Sequence, residues 1–173
     1  MKVLIIIDML NGFCREGYPL SLPNYNPEIE TYIKKQIEEY QSNNDKVIFI
    51  CDSHKLSDPE INDPYPPHCM DGTPEAEIID TLSNYKKNAL ILHKHTLSIM
   101  YQTGLESILQ ELNPDKIELV GVCTDICDLF AVYELRIRGY KVAVLKQGVL
   151  PFNPDKQEEF LNYFETKLSA EIY

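Results

Sequence analysis

The feature that most restricts the fold of this chain is a series of short, unbroken apolar runs, separated by segments of helical periodicity. The runs are KVLIII, KVIFIC, NALILHK, KIELVGV and KVAVLK, at residues 2–7, 46–51, 88–94, 116–122 and 141–146. They are rich in β-branched residues, too short for buried helices, and without alternation of apolar and polar residues. This pattern indicates strands that are buried on both faces.

The segments between the runs have the periodicity of amphipathic helices. In residues 26–41, Ile29, Ile33 and Ile37 recur at a spacing of four, and Pro27 suits a first helical turn. Further helices are predicted at 73–82, 104–113, 124–138 and 154–167. Strands that alternate with helices predict an α/β fold. We expect a doubly wound, mostly parallel sheet with helices on both faces, in a single domain over residues 1–173, with the final AEIY as an edge strand.

The charge and the cysteine content restrict the partners and the compartment. A formal net charge of −11 disfavours nucleic acid and anionic membrane surfaces, because both bind basic faces. The first apolar run ends at Asp8, so it is too short for a membrane span, and it lacks the cleavage region of a signal peptide. We therefore expect a cytoplasmic protein whose five cysteines are reduced and form no disulfide scaffold.

Polar and nucleophilic residues follow the predicted strands. They are Asp8, Asp52 with His54, Lys94, and the pair Cys123 and Cys127. Each has an ordinary explanation when taken alone, as a turn residue, a solvated charge or a small buried side chain. Ligands of open parallel sheets bind outside the carboxyl ends of the strands, where these residues are expected to meet. An acid, a lysine and a thiol at one edge are the components of an activated cysteine nucleophile.

The turn GVCTDICDLF, residues 121–130, gives Cys127 a reason to be reactive. Thr124 is a good N-cap for the predicted helix and Asp125 suits its first turn, which puts Cys127 near the third helical position. There the helix dipole and the free backbone N–H groups favour a thiolate and can hold an oxyanion. Cys123 precedes the cap, and we expect no disulfide between the two cysteines.

The long loop from Asp52 to about Thr73 contains a second candidate site. Asp52 and His54 are two residues apart at an extended strand end, which places both side chains on one face, and His68 follows in the same loop. Two histidines and one carboxylate form a three-ligand metal site that leaves positions open for water or substrate. The alternative is that these three residues, called the loop site below, are ordinary polar loop residues.

Together these segments resemble the isochorismatase-like cysteine hydrolases, and within them the nicotinamidases (pyrazinamidases). The resemblance covers nearly the whole chain and rests on several motifs in the same order. They are IIIDMLNGF (5–13), DSH (52–54), YPPHCMDGTPEAE (65–77), KHTLSIMYQTGLESIL (94–109), GVCTDICDLFA (121–131), FNPDKQEEFLNYF (152–164) and SAEI (169–172). The resemblance implies an amidohydrolase that converts nicotinamide to nicotinate and ammonia for NAD salvage, and a homo-oligomer.

The resemblance also implies a triad of Cys127, Asp8 and Lys94. Cys127 would attack the substrate amide, Asp8 would pass the thiol proton to the leaving amine, and Lys94 would keep Asp8 ionised. Water would then release the acid from a thioester. The backbone N–H groups of Cys123 and Cys127 would form the oxyanion hole, with a cis peptide between Val122 and Cys123.

A divalent metal on the loop site follows from the same resemblance, with zinc expected and manganese or iron as alternatives. The metal would bind the ring nitrogen of the substrate and orient it. Glu60 is a candidate further ligand, and Asp58 and Asp63 compete for that role. Phe13 and Tyr65 would sandwich the aromatic ring.

The chain departs from the family pattern at four positions. Leu97 stands where the family often has Tyr, Met100 where it often has Phe, Asp128 where a small apolar residue is usual, and Tyr65 where Trp is frequent. None belongs to the triad or the loop site, so these departures bear on the substrate more than on the reaction. Two alternatives stay open: an amidase of the same family acting on another small amide or ureido compound, and a non-catalytic redox or metal sensor.

Overall fold

A single six-stranded parallel sheet forms the centre of the computed structural model, which describes residues 1–173. Its strands are β1 (Lys2–Ile7), β2 (Lys46–Asp52), β3 (Leu90–Lys94), β4 (Lys116–Val122), β5 (Val142–Leu150) and β6 (Glu171–Ile172). The helices are α1 (Asn11–Cys14), α2 (Glu28–Ser42), α3 (Asp80–Ser83), α4 (Leu105–Leu112), α5 (Cys127–Ile137) and α6 (Gln157–Leu168). The predicted doubly wound α/β fold is confirmed, and the last residues do add an edge strand.

Both faces of the sheet are covered, which explains the unbroken apolar runs. On β1, Leu4 and Ile6 pack in one apolar cluster with residues of α2 and α3. The alternate residues Val3, Ile5 and Ile7 pack in a second cluster with residues of α4, α5 and α6. No helix combines the length and the apolarity needed to cross a membrane.

The strand order β3-β2-β1-β4-β5-β6 reverses direction between β1 and β4. In open α/β sheets this reversal leaves a crevice at the carboxyl ends of the strands, where ligands bind. Gly121 of β4 lies opposite Ile7 of β1, and Ile7 directly precedes Asp8. The φ of Gly121 is +130°. A Cβ at this position would overlap the backbone carbonyl of Ile7, so only glycine permits the close approach of the two strands. The next peptide bond, Val122–Cys123, is cis, as the resemblance implies.

The single helix expected over 73–82 is wrong. Residues Pro74–Ala76 form a 3₁₀ turn, Ile78 forms an isolated antiparallel bridge with Leu10, and α3 begins only at Asp80. Ile78 and Ile79 are 5% and 0% exposed, so burial of these side chains in the core outweighs the local helical preference.

Candidate active site

The side chains of Asp8, Lys94 and Cys127 meet at the carboxyl edge of the sheet. The ammonium of Lys94 lies 2.9 Å from Oδ2 of Asp8 and 3.7 Å from Sγ of Cys127, and all three side chains are buried. Asp8 follows β1, Lys94 ends β3 and Cys127 begins α5. The strand order therefore brings together the three residues that the sequence placed in one triad.

Asp52 also belongs to this cluster, in addition to the loop site. It is the register partner of Lys94, and its Oδ1 contacts the Lys94 ammonium. Its backbone N–H donates to Oδ1 of Asp8 at 2.8 Å. Asp8 and Asp52 thus share one ammonium, a link that sequence reasoning missed because it assigned Asp52 to the metal alone.

Burial determines the protonation of the cluster. Burial and the neighbouring Asp52 carboxylate raise the pKa of Asp8 to about 6, against the opposing effect of Lys94. Burial raises the pKa of the Cys127 thiol well above its ordinary value, and the Lys94 ammonium offsets this only in part. Burial opposes the charge of Lys94, but the carboxylates of Asp52 and Asp8 outweigh it and hold the pKa of Lys94 well above its usual range. Burial therefore favours the thiol form of Cys127, whereas the helix start and the Lys94 ammonium favour the thiolate expected from the sequence.

The turn before Cys127 differs from the expected helix cap. The helix begins at Cys127 itself, and the buried hydroxyl of Thr124 has no hydrogen-bond partner. The backbone N–H of Thr124 donates to the carbonyl of Leu150 at 3.0 Å, and the Asp125 carboxylate accepts from the backbone of Phe152. Contacts with the end of β5 thus fix the turn and replace the predicted N-cap. Cys127 is the first helical residue and not the third.

The backbone donors near the thiol of Cys127 are free. The N–H groups of Cys123 and Cys127 donate to no acceptor within the protein, whereas the carbonyl of Cys123 accepts from Ile126 and Asp128 at 3.0 Å each. Two unpaired N–H groups beside a nucleophile can hold the negative oxygen of a tetrahedral intermediate. All five cysteines are free, so the two in this turn are not bonded to each other.

The three residues of the loop site lie together, with one candidate ligand atom from each within 4.8 Å of the others. The loop folds so that the backbone N–H of His54 donates to the carbonyl of Cys69 at 3.0 Å, which brings His68 next to it. Nε2 of His54 and Nε2 of His68 lie 3.3 and 3.7 Å from the Asp52 carboxylate oxygens. The loop site is therefore assembled by the backbone pairing of the two ends of the loop.

The donors fit a divalent metal. Neither ring nitrogen of His54 has a hydrogen-bond partner although the side chain is buried. Nδ1 of His68 lies 2.8 Å from the carbonyl of Pro66, and donation there leaves Nε2 as a free lone pair. Two imidazole nitrogens and one carboxylate are a donor set that suits zinc.

Among the candidates for a further ligand, Glu60 has the best position. Its Oε1 is buried without a partner, and it lines the same cavity as Asp52 and His68. Burial and the Asp52 carboxylate raise the pKa of Glu60. Asp58 lies behind the site, with Oδ2 3.4 Å from Nδ1 of His54, and Asp63 is exposed.

A cavity of about 250 Å³ opens beside Cys127 and the loop site. Phe13 and Tyr65 both line it, and each ring lies 5.9 Å from the ring of His68 in an edge-on arrangement. The remaining apolar lining residues are Leu20, Pro64, Pro66, Leu97, Ile126 and Phe152. Sequence reasoning missed Leu20, Ile126 and Phe152. Phe152 follows the end of β5 at Leu150. The sequence predicted that this strand stops at 146, and for this reason the residues after its true end were not considered.

The isochorismatase domain family has a model that matches residues 2–172. The chain belongs to the isochorismatase family. Among curated proteins, the isochorismatase family protein PncA of Bacillus subtilis, described as uncharacterized, is 30% identical over 180 residues, which cover 99% of this chain and 98% of that protein. The family expected from the motifs is thus confirmed.

Solved structures of several amidases share the fold of this chain. Nicotinamidase PncA from Bacillus subtilis has a TM-score of 0.92 at 31% identity and covers 99% of this chain and 98% of its own. N-carbamoylsarcosine amidase from Thermoplasma acidophilum has a TM-score of 0.86 at 27% identity, with 99% and 94% covered. Pyrazinamidase of Pyrococcus horikoshii, solved in complex with zinc, has a TM-score of 0.88 at 22% identity, with 99% and 98% covered. The chain is a nicotinamidase-like hydrolase of this family.

Proposed function

We propose that the protein is a nicotinamidase that hydrolyses nicotinamide to nicotinate and ammonia. The observation that carries the proposal is the buried contact of Lys94 with Asp8 and Cys127, next to a ring-sized apolar cavity that also reaches the loop site. Cys127 and Asp8 would supply a nucleophile and its base, and the cavity would supply a place for a heteroaromatic ring.

In the first half of the reaction, Sγ of Cys127 attacks the carbonyl carbon of the amide while Asp8 takes the thiol proton. A carboxylate whose pKa is raised to about 6 is a stronger base than an ordinary aspartate, which suits this transfer. The backbone N–H groups of Cys123 and Cys127 stabilise the oxyanion. Asp8 then returns the proton to the amine, the C–N bond breaks, and ammonia leaves behind a thioester.

In the second half, water attacks the thioester carbonyl and Asp8 removes a proton from it. The C–S bond breaks, the thiol of Cys127 regains its proton from Asp8, and the carboxylic acid leaves. Lys94 stays protonated throughout, because two carboxylates hold its pKa well above its usual range against the effect of burial. It therefore balances the negative charge that moves between Asp8 and the sulfur.

The ring is held by the cavity and the loop site. Asp52, His54 and His68, with Glu60 beside them, would hold zinc, and manganese or iron are the alternatives. When bound, the metal supplies a Lewis acid that can hold the pyridine nitrogen. Phe13 and Tyr65 line the cavity, and in this proposal they would contact the faces of the ring. The nicotinate produced would enter NAD salvage in the cytosol, a reducing compartment that suits five free cysteines.

Another amide is the nearest rival as substrate. The likeness to N-carbamoylsarcosine amidase favours a ureido compound as the second candidate. A sensor without catalysis is not supported, because a redox or metal sensor has no need for the contacts of Asp8 and Lys94 with the thiol. Of these candidate functions, only hydrolysis uses the side chains of Asp8, Lys94 and Cys127 together.

Ammonia release by the zinc-loaded protein tests the proposal. Nicotinamide should be turned over, benzamide far more slowly because it lacks the ring nitrogen, and N-carbamoylsarcosine more slowly still. Cys127→Ala should release no ammonia from any of them. Absence of turnover with nicotinamide, or full turnover by Cys127→Ala, contradicts the proposal, and a preference for N-carbamoylsarcosine supports the rival.

A further inference from the structure

Two carboxylates near Cys127 bind backbone and hydroxyl groups in two segments that contribute residues to the cavity wall. Asp125 lies two residues before Cys127, and Glu134 lies seven residues after it on α5. Neither carboxylate lines the cavity, so neither contacts a substrate held there. Both nevertheless make hydrogen bonds to segments that do line it.

Asp125 holds the segment that follows β5. Its Oδ1 accepts the backbone N–H of Phe152 at 2.7 Å, and its Oδ2 accepts that of Asn153 at 2.9 Å. The side chain of Phe152 lines the cavity. Hydrogen bonds to an ionised acceptor are stronger than those between neutral groups, so this carboxylate fixes Phe152 to the turn that leads into Cys127.

Glu134 holds the segment that follows Lys94. Its Oε1 accepts the hydroxyl of Ser98 at 2.6 Å, and its Oε2 accepts the backbone N–H of Ile99 at 2.9 Å. These two residues come directly after Leu97, which lines the same cavity as Phe152. The helix that begins at the nucleophile is thus tied to a second part of the cavity wall.

We propose that Asp125 and Glu134 are positioning residues that determine which rings the cavity accepts. Asp125 bonds the backbone of the wall residue Phe152, and Glu134 bonds the two residues that directly follow the wall residue Leu97. Loosening either tie should alter the fit of a ring while the contacts of the nucleophile with Asp8 and Lys94 persist. The inference rests on the proposed function only for the identity of the ring as that of nicotinamide.

Alkylation of Cys127 tests the inference without any turnover. Iodoacetamide and N-benzyliodoacetamide carry the same reactive group, and only the second needs room for a ring. The variants Asp125→Asn and Glu134→Gln remove the charge and keep the shape. Asp155→Asn and Glu165→Gln, which make the same changes at exposed carboxylates, are the matched controls.

The rate of Cys127 alkylation by each reagent is measured by mass spectrometry. We expect Asp125→Asn and Glu134→Gln to lower the ratio of the N-benzyliodoacetamide rate to the iodoacetamide rate about fivefold. The iodoacetamide rate itself should change less than about twofold, and the controls should match the native protein. In turnover, KM for nicotinamide should rise about tenfold with kcat little changed.

A native ratio in both variants overturns the inference, and so does an equal loss of rate with both reagents, because the nucleophile itself is then disturbed. Should a variant fail to fold, Asp125→Glu and Glu134→Asp keep the charge but move the acceptor oxygens, and the same ratio decides. If the native protein does not hydrolyse nicotinamide, the proposed function fails, whereas the alkylation ratio still tests the two carboxylates.

Discussion

Asp52 and Lys94 lie opposite each other at the ends of β2 and β3, and the ammonium that contacts Asp52 also contacts Asp8. One buried cation thus balances two buried carboxylates. Removal of that cation leaves two uncompensated negative charges side by side, which is far more costly than the loss of an exposed ion pair.

Lys94→Met should therefore damage both stability and activity. We expect the free energy of unfolding in urea to fall by about 3–5 kcal/mol. Lys86→Met, which removes the partly exposed pair with Glu77, should cost at most about 1 kcal/mol. Equal, small losses in the two variants would mean that Lys94 does not balance the buried carboxylates.

The two cysteines of the turn should respond differently to substitution. Cys127→Ala should lower the rate of amide hydrolysis about 10⁴-fold or more, because the nucleophile is lost. Cys123→Ala should cost less than about tenfold, since its backbone N–H remains available to the oxyanion. Adding Asp8→Asn to Cys127→Ala should cause little further loss, because the two groups act as a unit. Identical effects of the two alanine substitutions would contradict this interpretation of the turn.

Metal affinity should depend on the loop site. In the catalytically silent Cys127→Ala protein, zinc binding measured by competition with a chromophoric chelator should be lost in His54→Ala and His68→Ala. Asp58→Asn should weaken binding about 10–100-fold, because the Asp58 carboxylate lies 3.4 Å from Nδ1 of His54 and could accept its N–H once Nε2 holds the metal. Asp63→Asn is the control, and its exposed carboxylate predicts native affinity. Native zinc affinity in both histidine variants would rule out the loop site as the metal site.

Acid should destabilise the protein partly through Glu30. Although burial alone would raise it, the pKa of Glu30 is held below its ordinary value by hydrogen bonds from Arg15, Thr81 and Tyr25. The folded state therefore binds the proton more weakly than the unfolded state. The stability from this carboxylate is fully present above the unfolded pKa and is lost as pH falls through the lower, folded pKa.

Unfolding in urea at pH 7 and at pH 3 checks this prediction. Glu30→Gln should be less stable than the native protein at pH 7, and the difference should shrink at pH 3. Glu28→Gln, at an exposed position of the same helix, is the control and should show a small difference at both pH values. A gap of the same size at both pH values for Glu30→Gln would contradict the assignment.

Gly121→Ala should be among the most destabilising single substitutions. The added Cβ would overlap the backbone of Ile7, in addition to the unfavourable φ of +130°, so we expect a loss of at least about 3 kcal/mol or failure to fold. Gly17→Ala, with a φ of +93° and no atom within 4 Å of the added Cβ, should cost only about 1–2 kcal/mol. Similar melting temperatures in the two variants would show that the close approach of the strands is not limiting.

The sequence predicted those parts of the fold that depend on local pattern. The apolar runs identified the strands, and the strand ends identified Asp8, Lys94 and Cys127, because a parallel sheet brings its carboxyl ends to one edge. His54 and His68 were found from their spacing and their shared loop. The family resemblance added the cis peptide at Val122–Cys123, which the structure contains.

The features that sequence reasoning missed depend on partners distant in the chain. The shared use of Lys94 by Asp8 and Asp52 follows from strand register, which residue patterns do not give. The start of α5 at Cys127 follows from the bonds of Thr124 and Asp125 to the end of β5. No local propensity predicts a turn that is determined by a segment some 25 residues away.

Asp8 and Lys94 lie at the ends of strands and Cys127 begins a helix, whereas the cavity beside them is built mainly from the connecting segments. Under the proposed function, chemistry and substrate choice therefore occupy separable parts of the chain. Exchange of the segments around Tyr65, Leu97 and Phe152 between relatives could redirect the enzyme to new amides while the catalytic groups remain untouched. In a fold divided in this way, the segments that recognise the substrate can change, by evolution or by design, while the reaction stays the same.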